Sequence, residues 1–430
     1  MKISRHNIIS PIEDSDKYIS VNLLHGTADI LDKNEYQELI DQTDTNSENE
    51  EKAVFEEKYK RFKFLQKNDE VQLFFVPTYN CNFKCSYCFQ SEFVNDSDFC
   101  TNDVIDGFFD YILKYFAYRK KYITIFGGEP LLNTAKAKTT ISYIIEKSNL
   151  HEIDLSIVTN GYNIEEYIDL IKKARIREVQ VTLDGTADAH NKRRPLKGGQ
   201  PTFDKIAKGV DLLLKNFIPV NLRMVADKDN IDALPDLAQF AIDKNWTKNK
   251  RLFKTQVGRN YDLHTCSYND SLYSRIEINN KLYQLINEFP HILEFYKPPF
   301  GVMKHLKENG VLPEAVFDGC PACKNEWAFD LYGTIYSCTA TVGKKGEELG
   351  TFYPETSHNT EIINDWQQRD ITTINECKNC SVALICGGGC GSVAKNKNKT
   401  IFSTDCRPIK ELTGLGTKVY FNNEIKGEQL

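Results

Sequence analysis

The cysteines are the feature of this sequence that most constrains its fold. The chain of 430 residues contains 13 cysteines but only 3 Met and 3 Trp. Three cysteines lie within residues 81–88, eight lie between 320 and 406, and only Cys100 and Cys266 stand alone. In a reducing compartment, such clusters more often bind metal than form a disulfide framework. We therefore expect metal centres to organise two parts of the chain.

Composition and charge narrow the class of protein. Apolar residues make up 41% and charged residues 27%, which is ordinary for a folded chain. A net charge of −6 disfavours general binding to nucleic acid. No run of eighteen apolar residues is present, and the start at Met1 lacks the apolar segment of a secretory signal. The sequence thus predicts a cytoplasmic protein that binds neither nucleic acid nor membrane.

The first 66 residues have the pattern of a small α+β module. Short apolar stretches predict three strands, and Asp32 is a candidate cap for the helix that follows them. The predicted strands cover 2–9, 18–24 and 28–31, the helices cover 32–39 and 53–65, and a polar, acidic linker covers 41–51.

From residue 71 onward, apolar strands alternate with amphipathic helices. The predicted strands cover 71–76, 122–126, 153–159, 178–183, 220–225 and 252–257. Continuous apolar strands separated by helices indicate a parallel sheet covered by helices. Six such units predict an α/β fold, a partial (β/α)6 barrel over 71–260, with chemistry at the carboxyl ends of its strands. We interpret 261–319 as bridging helices and 320–430 as an irregular, cysteine-rich domain.

The first cysteine cluster follows the first barrel strand as Cys81-x3-Cys85-x2-Cys88. Three thiolates in one loop can surround one soft metal centre and leave a coordination position open. A structural zinc site is normally closed by four ligands. On spacing alone, a zinc loop that borrows a distant fourth cysteine is an alternative.

The second barrel strand ends in Gly127-Gly128-Glu129-Pro130, one strand–helix unit after the cysteines. Together, the two motifs resemble those of the radical SAM superfamily. The resemblance implies a [4Fe-4S] cluster on Cys81, Cys85 and Cys88, whose open iron is chelated by S-adenosylmethionine (SAM). It also implies that Glu129 and the backbone of the two glycines hold the amino group of SAM.

Further positions match the family along the barrel. Tyr87 matches an aromatic residue near the adenine, although it could equally be a core residue. The residue at Thr182 is often Ser in the nearest subgroup and binds the SAM ribose or carboxylate, and Arg194 matches an arginine that reaches the carboxylate. Asn160, Asp184 and His190 are weaker candidates that could be structural.

The second cysteine set resembles a SPASM domain, the C-terminal extension of many radical SAM enzymes. This resemblance implies two auxiliary [4Fe-4S] clusters, hence three in all, with interleaved ligands. The implied sets are Cys320, Cys323, Cys338 and Cys390 for the first cluster, and Cys377, Cys380, Cys386 and Cys406 for the second. Gly387-Gly388-Gly389 supplies the tight reversal that this interleaving needs. If Cys320 is not a ligand, the first auxiliary cluster has an open iron, and a structural zinc ribbon is the other alternative.

SPASM proteins mostly act on peptides, and the module over 1–66 is similar in its order of elements to the winged-helix-like RiPP recognition element. Such a domain captures a leader peptide as an added edge strand. The resemblance therefore implies a maturase that uses 5′-deoxyadenosyl radical chemistry to form an intrapeptide thioether or C–C crosslink. Its partners would be a precursor peptide and an electron donor such as flavodoxin or ferredoxin.

Other functions stay open at this point. An anaerobic sulfatase-maturating enzyme has similar cysteine spacings, but the family's Asp base follows the cysteine that matches Cys338, where this chain has Thr339. Glu326 or Asp330 could substitute for that base. A peptide epimerase is a further alternative, as is a non-catalytic iron–sulfur electron carrier, which would not cleave SAM.

Overall fold

The N-terminal module is a small antiparallel sheet followed by two helices. The computed structural model describes residues 4–13, 15–41, 47–88, 90, 98–260 and 270–422. The sheet has the order β1-β2-β3. Its elements are β1 (Ile8–Pro11), β2 (Tyr18–Asn22), β3 (Thr27–Leu31), α1 (Lys33–Asp41) and α2 (Ser47–Asn68).

The sequence placed the helix start correctly and the first strand incorrectly. Asp32 caps α1, because its Oδ1 accepts from the amides of Asn34 and Glu35 at 2.7 and 2.9 Å, and Glu35 Oε2 accepts from the Asp32 amide at 2.8 Å. The first strand was predicted over 2–9, but it begins at Ile8 and ends at Pro11. It can include Pro11 because β1 is an edge strand, and edge strands tolerate proline. Helix α2 begins at Ser47, within the predicted linker.

The predicted partial barrel is confirmed. Strands β4 to β9 are adjacent and parallel, and the predicted helices lie between them. The strands are β4 (Val71–Val76), β5 (Lys121–Ile125), β6 (Asp154–Thr159), β7 (Ile176–Thr182), β8 (Val220–Ala226) and β9 (Phe253–Arg259). The helices are α3 (Asn102–Tyr115), α4 (Ala135–Leu150), α5 (Ile164–Ile171), α6 (Ala187–Arg193), α7 (Phe203–Lys215) and α8 (Leu234–Asp243).

The two faces of the barrel sheet differ in burial. Alternate residues of β8 are fully buried, while Asn221, Arg223 and Val225 between them are partly exposed. On the outer face helices complete the core, as where Phe108 of α3 stacks on Phe75 of β4 at 4.5 Å. The inner face therefore lines an open lumen.

The C-terminal region contains more regular structure than its sequence predicts. Four strands extend the barrel sheet, and β10 pairs with β4 in parallel. These elements are β10 (Glu326–Asp330), β11 (Thr334–Tyr336), β12 (Glu348–Thr351), β13 (Ser357–His358), α12 (Thr360–Gln368), α13 (Ala383–Cys386), α14 (Gly391–Asn398) and α15 (Ile409–Tyr420). The bridge preceding them contains α9 (Arg275–Glu288), α10 (Ile292–Phe295) and α11 (Met303–Asn309).

The N-terminal module packs against this C-terminal region. Three aromatic rings of α2, those of Phe55, Tyr59 and Phe62, lie 5.1–5.4 Å from the ring of Phe317. Tyr59 Oη also donates to Asp370 Oδ2 at 2.8 Å. Helix α15 in turn contacts β1. Within the ranges described, no helix is long and apolar enough to span a bilayer.

Candidate radical SAM site

A cavity of about 560 Å³ occupies the barrel lumen and opens at the carboxyl ends of the strands. Its size suits a cofactor or a small ligand. Nearly all of the predicted site residues of the barrel line it: Cys81, Cys85, Cys88, Tyr87, Gly127, Gly128, Thr182 and Arg194. The cavity thus brings together residues from three separate loops and from the end of β7.

The cysteine loop is held by the segment that follows α6. The amides of Lys84 and Ser86 donate to the carbonyls of Pro195 and Arg193 at 2.9 and 3.0 Å. The amide of Lys197 donates back to the carbonyl of Asn82 at 2.8 Å. Because the loop is fixed on both sides of Cys85, its thiols face one region of the cavity.

The chemistry of these thiols fits a soft, anionic metal centre. Burial and then the carboxylate of Glu129 raise the pKa of Cys81 to about 12, with smaller contributions from Cys85 and Cys88. Burial also raises the pKa of Cys85, while Arg194 opposes that rise. Thiolates become favourable here only when a metal offsets their charge. The three residues therefore fit an iron–sulfur cluster.

The Gly-Gly-Glu motif packs against the start of the cysteine loop. A Cβ on Gly128 would lie 2.2 Å from the carbonyl oxygen of Asn80 and 2.4 Å from that of Tyr79. The amide of Glu129 donates to the same Asn80 carbonyl at 2.7 Å. Sequence reasoning assigned the glycine to close approach by a ligand, whereas Gly128 makes room for the protein's own backbone.

Glu129 is buried and hydrogen-bonded to the end of the next strand. Its Oε1 accepts from the Leu131 amide at 2.8 Å and from Thr159 Oγ1 at 2.7 Å, and its Oε2 accepts from the Asn160 amide at 2.6 Å. Burial raises its pKa, and these three donors act in the opposite direction. Unlike Gly127 and Gly128, Glu129 does not line the cavity, so the structure shows its carboxylate joining the ends of β5 and β6.

Tyr87, Asp184 and Arg194 form one hydrogen-bonded group. Arg194 Nη1 donates to Tyr87 Oη at 2.7 Å, and that hydroxyl donates to Asp184 Oδ2 at 2.5 Å. Asp184 Oδ1 accepts from the Val225 amide at 2.9 Å. The arrangement orients the tyrosine ring and the arginine together at the cavity.

His190 has a structural position behind this group. The amide of Asp184 donates to its Nδ1 at 3.1 Å, so Nδ1 is an acceptor and the proton lies on Nε2, which faces Thr202 Oγ1 at 3.1 Å. Burial and the charges of Arg194 and Arg193 lower the pKa of His190 to about 2. The ring is therefore neutral, and it does not line the cavity.

Several of the C-terminal cysteines lie near one another. Burial and then Cys386, Cys380 and Cys406 raise the pKa of Cys377 to about 12. Burial, Glu326, Cys320 and Cys390 raise that of Cys338. Cys390 therefore lies near the first set although it follows Cys386 of the second by only four residues.

The glycines between the two sets make the predicted reversal. Gly387, Gly388 and Gly389 have φ values of +61°, +75° and +69°, a left-handed run that residues with a Cβ rarely adopt. A Cβ on Gly389 would lie 2.1 Å from the carbonyl oxygen of Asp405. The reversal thus separates Cys386 from Cys390.

Across the described part of the chain, no three His, Cys, Asp or Glu side chains are arranged to hold a single metal ion. Of the remaining cysteines, Cys100 is buried in the core, and Cys266 lies outside the described residues.

Sequence reasoning missed the basic residues of the lumen. These residues alternate along β7, β8 and β9, and that alternation could have indicated that their side chains face the lumen. Basic residues on strands commonly face solvent, so the signal is weak. The cavity is lined by Arg177, Arg223, Lys254 and Arg259 in addition to Arg194.

Comparisons with known proteins find one superfamily in the barrel region. A sequence model described as the radical SAM superfamily matches residues 75–241, which contain the cysteine loop and the Gly-Gly-Glu motif. Over this stretch, which is less than half of the chain, the protein is similar to that superfamily.

Curated relatives match in two ways. The serine-type anaerobic sulfatase-maturating enzyme of Bacteroides thetaiotaomicron is 23% identical over 371 residues, 80% of this chain and 86% of that protein. A probable GTP 3′,8-cyclase of Pyrococcus horikoshii is 30% identical over 169 residues, 39% of this chain and 51% of that protein. The chain thus spans about half the length of the cyclases it matches.

Solved structures share the fold over most of the chain. anSMEcpe with bound AdoMet has a TM-score of 0.62 at 18% identity, and covers 83% of this chain and 97% of its own. Streptococcus suis SuiB has a TM-score of 0.53 at 16% identity, and covers 94% and 98%. The chain therefore shares its fold with these two solved structures.

Proposed function

We propose that this enzyme is a maturase that installs an intrapeptide crosslink, a thioether or a carbon–carbon bond, in a ribosomally synthesised precursor peptide. One observation carries the proposal. The chain that holds the three-cysteine cavity also carries a small antiparallel sheet. Its outer strand, β3, pairs with β2 on one side and with no described segment on the other. The cavity suits radical chemistry, and the open strand suits an extended peptide.

The edge of β3 has the properties of a peptide-docking strand. The side chain of Ile30 is 51% exposed, and Thr27 and Ala28 are exposed beside it. An open edge offers a row of backbone donors and acceptors, so an added strand gains affinity without a fixed sequence. One of the similar SuiB structures contains the precursor peptide SuiA. By analogy, the module over 1–66 would bind a leader peptide.

In this proposal, the cavity residues divide between the cluster and SAM. Cys81, Cys85 and Cys88 would ligate the [4Fe-4S] cluster. When both cofactors are bound, they supply the radical that removes a hydrogen atom from a substrate carbon. Glu129 and the backbone of Gly127 and Gly128 would hold the amino group of SAM. Arg194 and Thr182 would bind the carboxylate or the ribose of SAM, and Tyr87 would lie near its adenine.

The C-terminal cysteines would ligate two auxiliary [4Fe-4S] clusters. This is supported by the electrostatic effects of Cys390 on Cys320 and Cys338, and of Cys380, Cys386 and Cys406 on Cys377. Oxidative crosslinking releases electrons, which these clusters can accept. A flavodoxin or ferredoxin would supply the electron that starts each turnover.

Sulfatase maturation is the second candidate, supported by similarity to the Bacteroides enzyme over 80% of the chain. Thr339 lines the cavity where that family has its base. The Thr339 amide donates to Glu326 Oε1 at 3.0 Å, so a carboxylate lies directly behind this position. Burial raises the pKa of Glu326. The crosslinking proposal is favoured because it also accounts for the N-terminal sheet.

The test is anaerobic co-expression with a small peptide encoded beside the gene, followed by mass spectrometry. Crosslinking predicts a loss of two hydrogens per modification, and tandem fragmentation then identifies the linked residues. A Cys81/Cys85/Cys88→Ala variant must abolish the mass change. Cys100→Ala is the matched control, since this cysteine is buried in the core and belongs to none of the three proposed ligand sets.

Two results would contradict the proposal. One is a peptide whose mass is unchanged after reaction in H₂O but which incorporates deuterium when the reaction is run in D₂O. This result would indicate epimerisation. Conversion of a sulfatase-derived peptide to its formylglycine form, with no change in the neighbouring peptide, would favour the second candidate.

A further inference from the structure

One arginine in the cavity has no described partner. Arg223 lies at the middle of β8 and faces the lumen. Its guanidinium makes no hydrogen bond or ion pair with any residue of the described ranges, and its Nε is buried without an acceptor. A buried N–H donor is costly unless an acceptor satisfies it. Arg223 therefore indicates a site whose acceptor comes from a ligand.

The other basic residues of the cavity differ in this respect. Each has a partner from the protein itself. Arg177 donates to Glu70 at 2.6 Å, Lys254 lies 3.9 Å from Glu178, Arg194 donates to Tyr87, and Arg259 donates to the Tyr273 carbonyl at 2.6 Å. The Nε of Arg194 and the Nε2 of Gln90 are also buried without an acceptor, but among the basic residues that line the cavity Arg223 is the one whose whole guanidinium lacks a described partner.

The chain makes room for this guanidinium at Gly258. A Cβ there would lie 3.3 Å from Arg223 Nη2 and 3.5 Å from Nε. In the strand register Gly258 pairs with Val225, two residues beyond Arg223 toward the carboxyl end of the sheet. The side chain therefore leans toward the end of the cavity that holds the cysteine loop.

We propose that Arg223 is a carboxylate receptor, and that its ligand is the side chain of an Asp or Glu in the substrate peptide. The planar guanidinium suits a carboxylate because it can donate two parallel hydrogen bonds. The carboxylate of SAM is the other possible ligand with this chemistry. However, the proposed function already assigns that group to Arg194, which lies beside the cysteine loop. This proposal rests on the proposed peptide substrate. Arg223 would recognise an acidic residue of that peptide close to the carbon that reacts.

The test measures binding to the anaerobically reconstituted enzyme with saturating SAM. The probes are N-acetyl-aspartate α-methylamide, which carries one carboxylate, and the matching asparagine compound. Wild type is expected to bind the aspartate probe about tenfold more tightly, as one charge-assisted pair allows. Arg223→Gln should abolish this preference and Arg223→Lys should keep part of it, while the Kd for SAM stays within about twofold.

Two further variants separate a local effect from a general one. Gly258→Ala keeps the arginine but crowds its guanidinium, so the preference should fall. Lys254→Gln removes a cation of the same cavity that is 66% exposed, and the preference should persist.

Contrary outcomes are equally defined. A tenfold loss of SAM affinity in Arg223→Gln, without a preference for aspartate in wild type, would assign the carboxylate to SAM and overturn the substrate assignment. No preference and no change in SAM affinity would overturn the receptor itself. Because the readout is binding, the inference can fail while crosslinking is observed, or hold while no crosslink forms.

Discussion

The guanidinium of Arg369 donates from Nη2 to the carbonyl oxygen of Gly388 at 3.0 Å, midway between Cys386 and Cys390. The same side chain donates to the carbonyls of Gly389 and Ser403, each at 3.1 Å. It is fully buried. One residue thus ties together the reversal and the segment that leads to Cys406.

Replacing Arg369 should impair assembly of the second cysteine set. Arg369→Gln leaves several buried carbonyls without donors, at about 1–3 kcal/mol for each. Iron should fall from about twelve atoms per chain toward about eight, if three clusters are present in wild type. Chemical iron and sulfide analysis measures this. Lys378→Gln, a change at an exposed lysine beside Cys377, should keep the full iron content.

Gly128→Ala should disrupt the first cluster. The added Cβ would lie 2.2 Å from a backbone oxygen that cannot move without shifting the cysteine loop. We expect a cost of about 3 kcal/mol or more and loss of the electron paramagnetic resonance signal of the SAM-bound reduced cluster. Gly414→Ala in α15 is the control, since an added Cβ there would lie at an ordinary contact distance, 3.6 Å, from Ser10 Oγ. An unchanged signal would contradict the tight packing described here.

Cys320→Ala tests whether the first auxiliary set has four ligands. Cys320 is buried, and burial and then Cys390 raise its pKa. We expect loss of one auxiliary signal and of up to about four irons. Cys100→Ala should retain both. Full retention of iron in Cys320→Ala would instead indicate a cluster with an open iron.

Ile30→Asp should weaken leader-peptide binding at the open edge of β3. A charge on this exposed strand opposes burial of an apolar leader residue and should raise the Kd about tenfold. Fluorescence anisotropy with a labelled leader peptide measures this. Leu150→Asp changes another exposed apolar residue, at the end of α4, and this variant should bind the leader peptide normally. Equal binding by both variants would exclude β3 as the docking edge.

His190 should make stability depend on pH. Its pKa falls from 6.5 to about 2 on folding, so only the unfolded chain binds a proton between these values. The stabilising contribution is complete above pH 6.5 and is lost as pH falls, by about 1.4 kcal/mol per unit. His190→Gln should lower the difference in thermal midpoint between pH 7.5 and 5.5. His305→Gln, at an exposed position, should leave that difference unchanged.

Much of the fold could be predicted because its signals are local. Six apolar strands, their helices and the Asp32 cap follow from short-range pattern and hydrogen bonding, and the structure contains them. The strands after residue 320 could not be predicted in this way. Strand β10 pairs with β4, more than 250 residues away, and β13 has only two residues. Their stability comes from distant partners that no local window contains.

The sequence by itself determined the parallel barrel and the spacing of the cysteines, since both depend on the order of residue types along the chain. Only the tertiary structure decided that Gly128 receives backbone oxygens, that Arg369 joins the segments around Cys390, and that Arg223 alone among the lumen cations lacks a described partner. The physical reason is that hydrogen bonding and close contact depend on distance in space. The sequence pattern of a basic residue on a strand is the same whether the folded protein pairs its charge or leaves it available to a ligand.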